Sequence, residues 1–231
     1  GVFGDPRYNV LGNDQYYDPP YTHLKFKALI ERLQKFNKPI IVGGSGASQF
    51  DSFPEAQNEL GIDHLIIGDV EEEAAKIFNK LLKGEKLPKV IHCGHLPENI
   101  EIPTIKKPVS WGLVEISRGC DRHCKFCDPQ MKRFRWIPKN KIIQEAKVNL
   151  QMSSEISLMS EDVFRYGCRS RQWKPDWGLV DLVNDLKELP NLESISLSHA
   201  CLSSALAAPE QIEALSEELN LSKDNYLAVQ P

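Results

Sequence analysis

Leu113-Val114-Glu115-Ile116-Ser117-Arg118-Gly119-Cys120-Asp121-Arg122-His123-Cys124-Lys125-Phe126-Cys127 is a short apolar run that breaks on serine, arginine and glycine and then sets out three cysteines at CxxxCxxC spacing. The run Leu113–Ser117 reads as a strand, and the cysteines fall on the loop at its C-terminal end. In α/β folds that end of a strand is where ligands bind. Three close thiolates suit three irons of a cubane cluster and leave the fourth iron without a protein ligand. An open iron has little use in simple electron transfer and an obvious one in chelating a substrate. Arg118, Arg122 and Lys125 flank the thiols, where positive charge favours thiolate and offsets a cluster's negative charge. The competing reading is a zinc site built on Cys120, Cys124 and Cys127, with His123 or a remote residue as fourth ligand. Zinc sites usually pair CxxC with a second, distant pair, and the sequence holds none.

Outward from the loop, the chain alternates strand and helix signals. Downstream, strands are expected at 155–159, 192–198 and 226–229, with helices near 140–151, 177–188 and 209–219; the middle helix puts Leu179, Leu182, Val183 and Leu186 on one face. Upstream, Phe26, Leu29, Ile30 and Leu33 mark a helix over 24–36, strands fall at 39–42 and 64–67, and a helix over 70–82 packs through Ala74, Ile77, Phe78 and Leu81 before Gly84. Between the blocks, 85–110 carries prolines 88, 97, 103 and 108 and reads as a linker with one or two short strands. The expectation is an α/β protein with parallel strands: a first domain over 1–95, a linker at 96–108 and a second domain over 109–231.

Composition bounds the rest. The 231 residues are 41% hydrophobic and 26% charged, with 14 Gly, 15 Pro and a net charge of -4, which excludes a disordered or fibrous chain. No apolar run reaches the ~18 residues of a membrane span, and the first ten residues lack a signal-peptide pattern. Mild acidity weighs against a general nucleic-acid binder. The six cysteines, at 93, 120, 124, 127, 168 and 201, do not form a disulfide-scaffold pattern, so a reducing, cytoplasmic setting is expected. The chain starts without Met and stops on Pro231 just after an expected strand, so it reads as a fragment of a longer protein.

CxxxCxxC with Phe126 before the last cysteine resembles the signature of the radical S-adenosylmethionine (SAM) superfamily. That resemblance implies the N-terminal part of a partial (β/α)6 barrel over 109–231 and a 4Fe-4S cluster on Cys120, Cys124 and Cys127. It implies that SAM is chelated by the open iron and that Phe126 lies near the adenine. Ser160-Glu161-Asp162 ends the second strand, where such proteins often bind the SAM amino group, so Glu161 or Asp162 is the candidate; the alternative is a helix cap. Ser198-His199 ends the third strand at the same expected edge, and Ser198 joins the candidate cofactor contacts.

In the first block, Gly43-Gly44-Ser45-Gly46 lies between a strand and a helix, a turn that lets backbone approach a phosphate or ribose. It matches neither the dinucleotide fingerprint nor a P-loop, and an ordinary βα turn looks the same. A small α/β domain directly before the cysteine motif resembles cobalamin-binding radical SAM proteins of archaeal type, among them glutamine C-methyltransferases acting on methyl-coenzyme M reductase. That implies the C-terminal part of a Rossmann-like cobalamin-binding domain, with Gly43, Gly44, Ser45 and Gly46 along the cobalamin tail and Gly68-Asp69-x-Glu71 as the next turn.

The resulting expectation is a cobalamin-dependent radical SAM methyltransferase acting on an unactivated carbon of a protein or small molecule, with an external electron donor and no membrane partner. A radical SAM methylthiotransferase acting on RNA or protein is the first alternative; a metal-stabilised scaffold without catalysis is the second. Lys132-Arg133-Phe134-Arg135-Trp136 interleaves basic and aromatic residues as RNA binders do. Such a run is more often a solvated loop, and only Cys93 precedes the motif where tRNA methylthiotransferases carry further cysteines, so a nucleic-acid partner is disfavoured.

Overall fold

A computed structural model describes residues 21–97, 100–120, 134–168, 176–219, 227 and 229–230. The chain divides into two compact units, Gly1–Ile100 and Glu101–Pro231.

In the first unit, α1 (Tyr21–Gln34) leads into β1 (Ile41–Val42), followed by a 3-10 turn and the short helices α2 (Ser48–Ser52) and α3 (Pro54–Glu59). Then come β2 (His64–Gly68), α4 (Ala74–Leu82) and β3 (Val90–Gly94). The three strands form a parallel sheet in the order β1-β2-β3. Ile30, Ile40, Phe50, Leu60, Ile62 and Leu65 are buried together, and Phe26 meets Phe50 ring to ring at 5.8 Å. The helical periodicity is right but buries less than it predicts. Only Ile30 of the α1 stripe is fully buried, while Leu29 and Leu33 are exposed; on α4, Ile77 is buried and Phe78 exposed. Gly84 ends α4 as expected: at φ 75 it donates its N–H to the Leu81 carbonyl at 3.0 Å.

The stretch that reads as a linker divides. Val90–Gly94 is the third strand of the first sheet. Residues 101–109 instead lie along a helix of the second unit, α5 (Lys139–Asn149). Lys141 donates to the Ile102 carbonyl, Glu145 accepts from the Ile105 N–H at 3.1 Å, and Asn149 accepts from the Val109 N–H at 2.9 Å. Prolines signal broken periodicity, and side chains 40 positions away that replace ladder partners leave no local trace.

The second unit runs β4 (Leu113–Glu115), β5 (Ser117–Arg118), β6 (Arg135–Trp136), α5 (Lys139–Asn149), β7 (Glu155–Met159) and a 3-10 turn at Val163–Arg165. It continues with α6 (Gly178–Lys187), β8 (Ser194–Leu197), β9 (Ala200–Cys201), α7 (Leu202–Leu206), α8 (Pro209–Glu218) and β10 (Val229–Gln230). β4, β7 and β8 form a parallel sheet in that order, and β10 lies parallel to β9. This is the strand–helix–strand alternation expected for an α/β protein. Val114, Ile142, Leu158, Leu182, Val183 and Leu186 are wholly buried where α5 and α6 meet the sheet. The antiparallel pair β5–β6 was not expected: two residues on each side are too few for a periodic signal.

Trp111 (φ 61) and Gly112 (φ 58) turn the chain into β4 in the left-handed region. A Cβ on Gly112 would overlap the Glu155 carbonyl oxygen at the start of β7, so glycine is required both by conformation and by the close approach of the strands.

Candidate metal and cofactor site

The candidate centre begins where the parallel sheet of the second unit ends. Ile116 extends the β4–β7 pairing by donating to the Met159 carbonyl at 2.9 Å, and its own carbonyl accepts from Ile137 at 2.8 Å. The chain leaves β5, passes Cys120, and returns at Phe134 into β6, where Ser117 pairs with Trp136 and Arg118 with Arg135. The cysteine loop therefore springs from a short antiparallel stem seated at the C-terminal edge of a parallel sheet.

Three serines mark that edge. The Ser117 and Ser160 hydroxyls are 2.6 Å apart; Ser198 Oγ donates to the Ser160 carbonyl at 2.9 Å and accepts from the Ser160 N–H at 3.1 Å. Ser198, a candidate cofactor contact, thus serves first to bind the ends of β7 and β8 together. One tier down, the Ser157 and Ser196 hydroxyls pair across the same strands.

Glu161 and Asp162 separate clearly. Asp162 is 1% exposed. Its carboxylate accepts from the Ser204 hydroxyl at 2.6 Å and from the Cys201 N–H at 3.3 Å, tying the turn after β7 to the start of α7. In this structure Asp162, one of the two candidate SAM contacts, acts as a structural clasp, close in kind to the cap reading. Glu161, one residue earlier, is exposed. Replacing Asp162 with alanine leaves two donors without their acceptor and is expected to cost about 2–4 kcal/mol, read as a fall in the chemical denaturation midpoint.

Cys120 forms no disulfide and is 7% exposed. Cys124, Phe126 and Cys127 lie outside the described residues. Among the described residues no three His, Cys, Asp or Glu side chains gather to hold a metal. The fit therefore rests on the donor set: a sulfur donor sheltered from water at the C-terminal edge of the sheet, followed in sequence by two more cysteines at three- and two-residue gaps. Those residues suit a cluster with one open iron. Cys168 and Cys93 make poorer candidates for ligands. Burial pushes the Cys168 thiol up, and it donates to the Phe164 carbonyl at 3.4 Å. Burial, then Glu73 and Asp69, push Cys93 up.

Of the flanking cations, Arg118 is committed locally, forming a two-pronged pair with Glu115 at 2.7 Å through each prong. Arg122 and Lys125 lie outside the described residues. Among the described residues, a buried cation beside Cys120 is one that sequence reasoning missed: Arg165, on the 3-10 turn after β7. It is 8% exposed, donates to the Cys120 carbonyl, and lies over the Phe134 ring at 4.2 Å. Nothing in the local sequence marks it, because its partners are 45 and 31 residues away.

Tyr166 completes the support. It is 4% exposed, donates to the Ile137 carbonyl at 3.2 Å and meets Trp136 edge-on at 6.3 Å. Burial pushes its pKa from 10.0 up to about 12. A raised folded-state pKa means the contribution is whole below the unfolded value of about 10 and is lost as pH climbs through the folded one. Stability is expected to fall by about 2 kcal/mol between roughly pH 10 and 12. In Tyr166→Phe this step disappears at the cost of about 1 kcal/mol for the lost hydrogen bond, as denaturant midpoints across that range would show.

In the first unit, Gly43 and Gly44 are exposed at the end of β1 and Gly46 lies in the 3-10 turn Ser45–Ala47. Gly44 has φ 90 with open space where a Cβ would stand. Gly68 has φ 105, and a Cβ there would meet the Gly94 backbone. Asp69 is buried and accepts from the Leu96 N–H at 2.8 Å. Backbone geometry thus accounts for Gly44 and Gly68, and a β2–β3 crossover contact for Asp69. These features do not by themselves call for cobalamin.

No family model matches the chain, and no solved structure does. Curated relatives do. A tRNA-2-methylthio-N(6)-dimethylallyladenosine synthase of Campylobacter jejuni is 27% identical over 126 residues, 52% of this chain and 29% of the relative. The enzyme of that name from Bartonella tribocorum is 26% identical over 168 residues, 69% of this chain and 36% of its own length. That from Helicobacter pylori strain P12 is 35% identical over 93 residues, 39% and 21%. The chain thus spans about a third or less of these relatives. The similarities support the radical SAM superfamily and an iron–sulfur enzyme, and they carry no support for the cobalamin-binding subtype. Among the described residues no helix is long and apolar enough to cross a membrane.

Proposed function

We propose that this chain is the part of a radical SAM enzyme that carries its cluster loop, and that the enzyme transfers a methylthio group to an RNA. The observation that carries the first half is Cys120, sheltered from water and opening a CxxxCxxC loop at the C-terminal edge of a parallel sheet. The second half is supported by partial similarity to tRNA-modifying synthases. RNA, disfavoured in the sequence by mild acidity and by the single cysteine before the motif, becomes the preferred substrate class.

On this reading residues 109–231 are the N-terminal part of the barrel, and Cys120, Cys124 and Cys127 hold a 4Fe-4S cluster. Phe126 lies against the adenine, Glu161 faces the SAM amino group, and Ser198 fixes the strand ends beneath it. When bound, cluster and SAM supply a 5′-deoxyadenosyl radical through one-electron reduction by an external donor. The chain's own work is positioning. The serine tier locks β7 to β8, the β5–β6 stem aims the loop, and the buried sheet face keeps water from below. Arg135 and the half-exposed Trp136, on the returning stem, offer a cation and an aromatic face of the kind that holds unstacked bases.

A second reading keeps residues 1–95 as the C-terminal part of a cobalamin-binding domain and makes the enzyme a methyltransferase. The parallel sheet β1–β2–β3 with the open turn at Gly43-Gly44-Ser45-Gly46 favours it. One experiment separates the two. The full-length parent protein, reconstituted without oxygen, is incubated with SAM, reductant, a sulfide source and bulk tRNA, with and without cobalamin. The proposal expects a methylthio nucleoside in tRNA digests, independent of cobalamin. Cobalamin-dependent methylation, with unchanged tRNA, overturns the RNA assignment and favours the second reading.

A further inference from the structure

Resting on the cluster reading above, we propose that Arg165 is a positioning residue for the iron–sulfur loop, clamping its two ends together and holding a positive charge beside the cluster. The loop is entered at Cys120 and left at Phe134, and Arg165 touches both: its guanidinium donates to the Cys120 carbonyl and covers the Phe134 ring at 4.2 Å. A planar guanidinium does both at once, which an ammonium does less well.

The clamp is itself fixed. The Arg165 N–H donates to the Asp162 carbonyl at 3.0 Å, and the Val163 N–H donates to the His199 carbonyl at 3.1 Å. Asp162 is in turn held by Ser204 and Cys201. Val163, Phe164, Arg165 and Tyr166 are all buried. The cysteine loop is therefore referenced, through one side chain, to the turn after β7 and the start of α7.

Two consequences follow from a buried cation at that place. Tethering the Cys120 carbonyl orders the first ligand before metal arrives, and partners that orient metal ligands typically contribute about 10–100-fold to metal affinity. A positive charge in a poorly screened site favours the more negative, reduced cluster, raising its reduction potential.

The test uses the full-length protein reconstituted with iron and sulfide, as wild type, Arg165→Met, Arg165→Lys and Phe134→Leu. Iron retention against a chelator, the cluster's midpoint potential and the melting temperature of the metal-free chain are measured. Arg165→Met is expected to lose half its iron at about tenfold lower chelator concentration and to shift the potential downward. Arg165→Lys, keeping the charge, is expected to restore the potential while recovering iron retention only in part. Phe134→Leu is expected to weaken retention and leave the potential near wild type.

Wild-type retention and potential in Arg165→Met overturn the inference. So do equal losses in the Met and Lys variants that track a lowered melting temperature of the metal-free chain, since they mark Arg165 as packing alone. Absence of an iron–sulfur cluster from the wild type overturns the cluster reading itself, and the inference with it.

Discussion

Replacing Cys120 with alanine is expected to abolish formation of 5′-deoxyadenosine from SAM and to leave the reconstituted protein short of both iron and sulfide. The loss should exceed about a hundredfold, the upper end of what an outer-shell partner costs, because a ligand itself is removed. The fold should survive. The tether to Arg165 runs through the Cys120 carbonyl, which alanine keeps, and the thiol is small. The melting temperature of the metal-free chain should therefore stay close to wild type while iron content collapses, and that split separates a ligand from a packing residue. If Cys120→Ala retains its iron and cleaves SAM, the loop does not carry the cluster.

The second large effect falls far from the chemistry. Gly112→Ala is expected to destabilise the protein by about 3 kcal/mol or more, enough to deplete soluble protein in expression. Two penalties combine. The residue sits at φ 58, where a side chain costs about 1–2 kcal/mol. Its Cβ would also press on the backbone carbonyl of Glu155, and overpacking typically costs about 1–3 kcal/mol. Backbone cannot rotate away as a side-chain tip can. Trp111 beside it is the control: at φ 61 and 81% exposed, it bears the same conformation without the contact. Trp111→Gly should leave stability unchanged or improved in the same denaturation experiment.

These predictions show what was legible in the sequence. Long periodic elements were, because burial repeats with the backbone. Leu179, Leu182, Val183 and Leu186 announce α6, and Glu155–Met159 announces β7. The cysteine loop was legible because its chemistry is written in consecutive residues. What escaped depends on residues distant in the chain. β3 was obscured because its polar His92 and Cys93 lie in a half-exposed edge strand. The strap over 101–109 is held by three side chains of α5 in place of a ladder. Asp162 and Glu161 are adjacent acids with opposite surroundings, set by Ser204 and Cys201 some forty positions on. Arg165 carries no motif at all, and only tertiary contact brings it against Cys120 and Phe134.

A division of labour follows from the arrangement. The sequence places reactive groups in the loop between Arg118 and Phe134, and the fold supplies rigidity to its base through the β5–β6 stem, the serine tier, Arg165 and Tyr166. Precision at a metal site comes from such support, since a ligand held loosely by its own backbone costs ordering entropy when it binds.

The most direct test of the central claim is made on the full-length protein, reconstituted anaerobically with iron and sulfide in the presence of zinc as competitor. Iron, sulfide and zinc are counted, then reductant and SAM are added and 5′-deoxyadenosine is sought. The account predicts iron and sulfide in equal amounts and 5′-deoxyadenosine that appears only with reductant. Bound zinc without sulfide, or a cluster that leaves SAM intact, would contradict it.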